Sequence, residues 1–176
     1  MLLAALAVLI AATAIVFAVT RSGGGQGPLV PLISGKEGYG VVLHLHQSAS
    51  ISGPLIIRNG SDHALVLDRV EPVGLQDGLE FLGAYVLTHP NAIGEVHGYR
   101  VPANGHPLPG ATMAPHSQVE LVFGVKAAKL GRHAFTSLDV LYHGGGTYRR
   151  HVALGVAVCA PYSLKTCATP LNGSGG

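Results

Sequence analysis

The segment YHGGGTYRRHVALGVAV, residues 142–158, sets three consecutive glycines between two tyrosines and follows them with two arginines and a histidine. Two folds compete for it. A glycine loop that cradles an anion leads from a strand into a helix whose first amides meet the charge. A β-hairpin instead turns through the glycines and returns as a second strand. After Gly146 the residues Tyr148, Val152, Leu154, Val156 and Val158 keep a period of two, so the chain continues as a strand. The spacings of Walker and dinucleotide-binding loops do not occur. With Gly144, Gly145 and Gly146 as a three-residue hairpin loop, Tyr142 faces Tyr148, Val140 faces Arg150 and Asp139 faces His151. Alternation then sends Arg149 and Arg150 to opposite faces, so the two do not clamp one ligand.

Working outward, the same period recurs. In HSQVELVFGVK, residues 116–126, Val119, Leu121, Phe123 and Val125 alternate with Gln118, Glu120, Val122, Gly124 and Lys126, the pattern of a half-buried strand. YGVVLHLHQ, residues 39–47, puts Val41, Leu43 and Leu45 on one face and Val42, His44 and His46 on the other. ISGPLIIRNGSDHALVLDRV, residues 51–70, has two apolar runs joined by Asn59-Gly60-Ser61-Asp62, which predicts adjacent antiparallel strands around a turn. Further strands are expected over residues 79–87, 133–143 and 147–158. The stretch from Thr88 to Pro115 is rich in Pro, Gly, Asn and His and reads as a long loop with one short strand. No helical stripe follows residue 20. Short antiparallel strands in this number imply an all-β fold, an Ig-like antiparallel β-sandwich preceded by an N-terminal transmembrane helix, with a small closed barrel as the alternative.

Composition agrees. The chain has 176 residues, enough for one domain of ordinary size. Charged residues make up 11%, and there are 25 glycines and 11 prolines, which suits short strands and many turns. The net charge of +2 comes from scattered Lys and Arg, without the clustered basic face that nucleic acid requires.

MLLAALAVLIAATAIVFAV, residues 1–19, carries no charge. As a helix rising ~1.5 Å per residue it would be roughly 28 Å long, close to the ~30 Å hydrocarbon core of a bilayer. It lacks the basic n-region of a cleaved leader and is longer than the usual apolar stretch of one. Residues 1–20 are therefore expected to be an uncleaved signal anchor with the N-terminus inside, although Arg21 lies on the flank that the positive-inside rule disfavours. The Gly-rich stretch that follows makes residues 21–37 a flexible linker. Residues 38–160 are the expected sandwich and 161–176 a C-terminal tail.

The two cysteines, Cys159 and Cys167, stand in CAPYSLKTC. That spacing fits neither a C-x-x-C redox pair nor a common metal site, and a disulfide is the expectation. Closing so short a loop stabilises by about 2.5 kcal/mol in the chain-entropy estimate. A disulfide persists in oxidising compartments, which puts the globular domain outside the cytoplasm.

PLIIRNGSDHALVLDRVEPV, residues 54–73, and GRHAFTSLDVLYHGGGTYRRHVALGVAVC, residues 131–159, resemble the small exported Ig-like domains that stand behind a single membrane anchor in high-GC bacteria. The shared features are an apolar strand ending in Asn and a polar turn, a Gly-x-x-x-aromatic strand entry, and a Tyr-flanked glycine hairpin before a terminal cysteine. The resemblance covers about two thirds of the chain. It implies fold only, and transfers no catalytic residue and no cofactor.

Three chemical readings remain. The register that sets Asp139 opposite His151 could orient an imidazole for hydrolysis, but no Gly-x-Ser-x-Gly elbow exists, and an exposed surface ion pair contributing little is the expectation. His44 and His46, two apart on one strand, would share a face and could bind Zn or Cu with a third ligand from His63, His143 or His151, an envelope metal-binding domain being the runner-up reading. The sequons at Asn59 and Asn172 read as a turn and a tail. The principal expectation is a non-enzymatic binding or structural accessory module, membrane-bound through its N-terminal helix, with a protein partner in the cell envelope.

Overall fold

The computed structural model describes residues 27–32, 38–53, 55–88 and 95–161, with the backbone alone for residues 95–97. The expected anchor over residues 1–20, Cys167 and the second sequon at Asn172 lie outside the described residues. Among the described residues, no helix is long and apolar enough to cross a membrane. The described chain is all-β, with strands β1 (Leu29–Pro31), β2 (Gly38–Val42), β3 (Ser48–Ile51), β4 (Ile56–Asn59), β5 (Leu65–Val73), β6 (Leu79–Leu87), β7 (Glu95–His97), β8 (Gly105–Pro107), β9 (Ala111–Met113), β10 (Gln118–Ala127), β11 (Gly131–Phe135), β12 (Ser137–His143), β13 (Thr147–Val152) and β14 (Gly155–Ala160).

β10 organises the larger sheet. One of its edges pairs with β6, and the other pairs first with β4 and then with β3; β1, β7 and β8 extend the sheet to seven strands. Two smaller sheets, β11-β14-β2 and β13-β12-β5-β9, supply the other side. Their inward residues, among them Val41, Leu65, Leu67, Phe135, Leu138, Val140, Tyr142, Val156 and Val158, join Ile51, Ile57, Leu121, Phe123 and Val125 of the large sheet in one buried cluster. The Phe123 and Phe135 rings meet across this core with centroids 5.9 Å apart, edge to face. The arrangement is consistent with a β-sandwich. The strand ladders are antiparallel except that β14 runs parallel to β2, a departure from the fully antiparallel expectation.

The last hairpin has the expected register. Tyr142 pairs with Tyr148, Val140 with Arg150 and Asp139 with His151. Gly145 has φ of 72°, the left-handed geometry that a three-residue loop needs and that a side chain would oppose. The two tyrosine rings stack at 5.3 Å. The hairpin is not two straight strands, however. The expected strands over 133–143 and 147–158 each break, at Thr136 and at Ala153–Leu154, so β12 and β13 join one small sheet while β11 and β14 join the other. Thr136 fixes the first break by bonding Val73 O through its N–H at 2.9 Å and its hydroxyl at 3.1 Å.

Four other expectations change, the first because a polar turn can cross between layers as readily as it closes a hairpin. The runs flanking Asn59–Asp62 are not neighbours: β4 pairs with β1 and β10, whereas β5 pairs with β12 and β9. Asn59 is fully buried at this crossover. Its amide donates to His63 O at 2.7 Å and Ala114 O at 3.1 Å, and its carbonyl accepts from the Ser61 N–H at 2.9 Å and hydroxyl at 2.7 Å. β10 is buried on both faces rather than one. The stretch 88–115 holds three short strands, two of which, β7 and β8, extend the large sheet. Finally, β1 lies inside the stretch expected as a linker. Leu29 is fully buried and donates its N–H to the Tyr142 hydroxyl at 3.1 Å, while a proline at each end suits a short edge strand.

The Asn59 amide, fully buried, bonds the His63 and Ala114 carbonyls, so Asn59→Ala should lower stability by about 2 kcal/mol, and Asn59→Asp, which turns an acceptor charge toward those carbonyls, by about 3 kcal/mol or more. Urea denaturation midpoints check this, with exposed Asp62→Ala as the near-neutral comparison. In a glycosylating host the Asn59 sequon should stay unmodified by intact-mass analysis, because its amide nitrogen is engaged inside the protein.

Candidate functional site

The outer face of the β13-β12-β5-β9 sheet carries the densest group of charged side chains named by the sequence. Pairing aligns Glu71, Asp139 and His151 in one row across three strands, and Arg69, Leu141 and Arg149 in the next. Diagonal contacts then tie the rows together. Asp139 Oδ1 lies 2.8 Å from His151 Nδ1, and its Oδ2 accepts from Arg149 at 3.2 Å. Arg149 reaches Glu71 at 3.5 Å, and Glu71 pairs with Arg69 at 2.7 Å. Asp139 is not the exposed partner expected: its side chain is only 12% exposed, against 54% for His151. The reason is its central strand, where neighbours on both sides close over the carboxylate.

This geometry has the acid and base of a hydrolytic triad, and among the described residues no Ser, Thr or Cys is bonded to the His151 ring. Asp139 is the only bonding partner of the His151 ring among the described residues, and Arg149 shares the same carboxylate. The row structure lets each acid meet a cation, so the face is a compensated lattice of charge. Asp139→Asn should cost about 1–2 kcal/mol, since a mostly buried acceptor loses its charge-assisted bonds, while Arg69→Ala, removing a solvent-exposed pair, should shift stability by no more than about 0.5 kcal/mol. Chemical denaturation of both variants checks the contrast.

The histidines expected to share a strand face do not. β2 ends at Val42, and His44 and His46 lie in the turn that carries the chain from a small sheet to the large one. That turn is closed by the Gln47 N–H bonding His44 O at 3.0 Å, and His46 has φ of 67°. Of the third-ligand candidates, His143 pairs with Asp68 at 2.8 Å and His151 with Asp139. Among the described residues no group of three His, Cys, Asp or Glu side chains is placed to hold a metal ion. Cys159 lies buried on β14, and its expected partner Cys167 is outside the described residues.

Sequence reasoning missed a buried polar cluster on the outer face of the large sheet. Glu120 is fully buried. Its Oε1 accepts from the Ser52 hydroxyl at 2.5 Å and from the Gly53 N–H at 2.6 Å. These donors lie in the interruption between β3 and β4, so the carboxylate plugs the gap where the edge of β10 changes partners. The chain around β7 is pinned alongside: Gly98 N–H bonds Ser48 O at 2.7 Å and the Ser50 hydroxyl bonds Gly98 O at 3.1 Å. Tyr99 thereby lies over Gly124, where any Cβ would collide with the ring. Its ring sits 6.1 Å from that of Tyr85, and Val122 and Leu87 complete a second apolar cluster. A glutamate alternating with apolar residues looks like a solvent-facing position, and only the presence of a covering segment makes it internal.

Burial raises the pKa of Tyr85, Tyr99 and Tyr142 above the ordinary 10.0, since the phenolate would be poorly solvated; the nearby Glu120 charge adds to this for Tyr85. The folded values exceed the unfolded ones, so the stabilisation from neutral phenols is complete below about pH 10 and is lost as pH rises through the raised values. Phenolate absorbance titrated in native and denaturing buffer should show part of the six-tyrosine signal delayed to higher pH in the native protein only, with the thermal midpoint falling over the same range.

No protein-family model matches the chain, and no curated protein matches it. Among solved structures it is similar to the ASH/PapD-like domain 7 of human CEP192, with 9% identity over 78% of this chain and 88% of that one and a TM-score of 0.43. It is also similar to the VesB protease of Vibrio cholerae, with 12% identity over 76% of this chain and a TM-score of 0.40. The match spans 32% of the length of that protease structure. Both likenesses are weak.

Proposed function

We propose that this chain is a single-pass membrane protein that presents an Ig-like β-sandwich outside the cytoplasm and acts there as a binding or structural accessory module for a protein partner in the cell envelope. The observation that carries this reading is the uncharged apolar run of residues 1–19, followed by a glycine-rich stretch that joins it to the first strand. Two features of the folded domain support it. The clustered charges of its outer face are mutually compensated rather than arranged around a nucleophile. Its ends are also unequal. The chain enters beside the glycine hairpin and the Asn59 turn, through the Leu29–Tyr142 bond and the Gly60 N–H to Pro28 O bond. At the opposite end of β10, the loops after β2, β5 and β10 display Leu45, Leu75 and Leu130, the last 61% exposed. With an N-terminal anchor, that end faces away from the bilayer and is the surface offered to the partner.

Protease added to intact cells should remove a C-terminal tag from the full chain, and a protected tag would contradict the topology. Cross-linking in membranes followed by pull-down should recover a partner whose yield falls several-fold with Leu130→Asp, a substitution that leaves the core untouched. Equal recovery with both proteins would move the contact elsewhere.

A further inference from the structure

The two strands by which the chain enters the sandwich run in one direction. β4 follows β10 from Glu120 back to Gln118, and β1 is antiparallel to β4, so β1 descends from the chain entry toward the leucine-bearing end. β2 lies parallel to β14, which is antiparallel to β11, and it descends to the loop that carries Leu45. Among the described residues each is the edge strand of its own sheet. Both are fixed along their length rather than at one point. Around β1, the Gly60 N–H bonds Pro28 O and the Leu32 N–H bonds Ile56 O, each at 2.9 Å, and the Leu29 N–H meets the Tyr142 hydroxyl. On β2, Gly38 through Val42 lie opposite Gly155 through Cys159, and the Leu43 N–H bonds Cys159 O at 2.9 Å beyond the last pair. Leu29, Val41 and Leu43 are fully buried in the core. At the far end the leucine loops are bonded to the centre of the large sheet and to one another. The His46 N–H reaches Ala127 O at 2.7 Å, the Ala127 N–H reaches Gln47 O at 3.1 Å, and the Ala128 N–H reaches Gly78 O at 2.9 Å.

We propose that the sandwich is a tension-bearing link, in which β1 and β2 form a shear clamp against a pull between the N-terminus and the leucine-bearing end. Such a pull runs along both strands. It must slide β1 past β4 and β2 past β14, so the ladder bonds, which lie across the strands, share the load. Sliding also draws Leu29, Val41 and Leu43 out of the core together, which adds the exposure of three large apolar side chains to the barrier. A pull across the strands meets no such clamp, because it opens each ladder from one end, one pair at a time. The loop bonds at the far end pass the load from Leu45, Leu75 and Leu130 into β10 rather than into a single loop. The tension-bearing role rests on the reading that anchor and partner take opposite ends, whereas the clamp itself rests on strand direction alone.

Single-molecule force spectroscopy on the full chain in detergent micelles tests the clamp. One handle is fixed at the N-terminus, and the other at an azide-bearing residue in place of exposed Leu130 or of exposed Asp62, so that both cysteines stay untouched. The Leu130 handle pulls along the strands. The Asp62 handle, at the chain-entry end beside the first pair of β1, Leu29 with Asn59, pulls that ladder open from its end. At one loading rate the first unfolding force should be about two-fold higher or more with the Leu130 handle, since forced unfolding reads the barrier along the direction pulled. Lys129 and His63, exposed at the same two ends, serve if either substitution perturbs the fold, as judged by circular dichroism. Equal forces in the two geometries, or a lower force along the strands, overturn the proposal and leave the membrane topology standing. A protease-protected C-terminal tag on cells would contradict the topology, and with it the direction of the load, without changing the ratio of forces.

Discussion

Neither face of β10 can be left to water. Val119, Leu121, Phe123, Val125 and Ala127 on one side and Glu120, Val122 and Gly124 on the other are all buried. The first set requires an opposing layer, which the two small sheets provide. The second requires a cover outside the sandwich, and the stretch around β7 and β8 supplies it by placing Tyr99 on Gly124 and Val101 beside Val122. Much of the molecule follows from these two demands. The chain must cross between layers again and again, after β1, β2, β4, β5, β8, β9 and β10, and buried backbone groups at such crossings must be satisfied locally.

Two buried polar side chains sit where such a crossing and a partner change occur. Asn59 bonds carbonyls at the crossing from β4 to β5, and Glu120 occupies the point where β10 exchanges β4 for β3. Thr136 and Gln76 do similar work on the edge of β11, where the Ala134 N–H donates to the Gln76 side chain at 2.9 Å and the Gln76 N–H returns a bond to Ala134 O. That edge is thereby capped, which removes a row of groups that would otherwise recruit another strand. In a protein with 9 acidic residues, a carboxylate in the interior is set against hydroxyl and amide donors rather than left to alternation.

The proposed function draws on the surfaces that this arrangement leaves. One face holds a neutralised lattice of arginine, acid and histidine; one is covered by the β7–β8 stretch; one is a strip of small buried residues. The loops opposite the chain entry carry the exposed leucines. The proposed role as a holding and presenting module draws on this division, with sheets between two loop-bearing ends. Fold does not imply function, so the weight rests on these surfaces and on the apolar N-terminal run.

The strands' local character was legible in the residues alone. Period-two alternation located β10 and the last hairpin, and three glycines between two tyrosines specified its register down to the pairing of Asp139 with His151. Those features depend on residues close in the chain, where alternation and loop length leave one geometry. Which sheet each strand joins was set by long-range packing. The turn at Asn59 has the same composition whether it closes a hairpin or crosses a core, and the residues at Thr136 and Ala153 do not announce a bend. Nor does a lone Glu120, or an Asp139 on a central strand, reveal that it is buried. Burial is conferred by segments distant in sequence, through contacts that local periodicity does not encode.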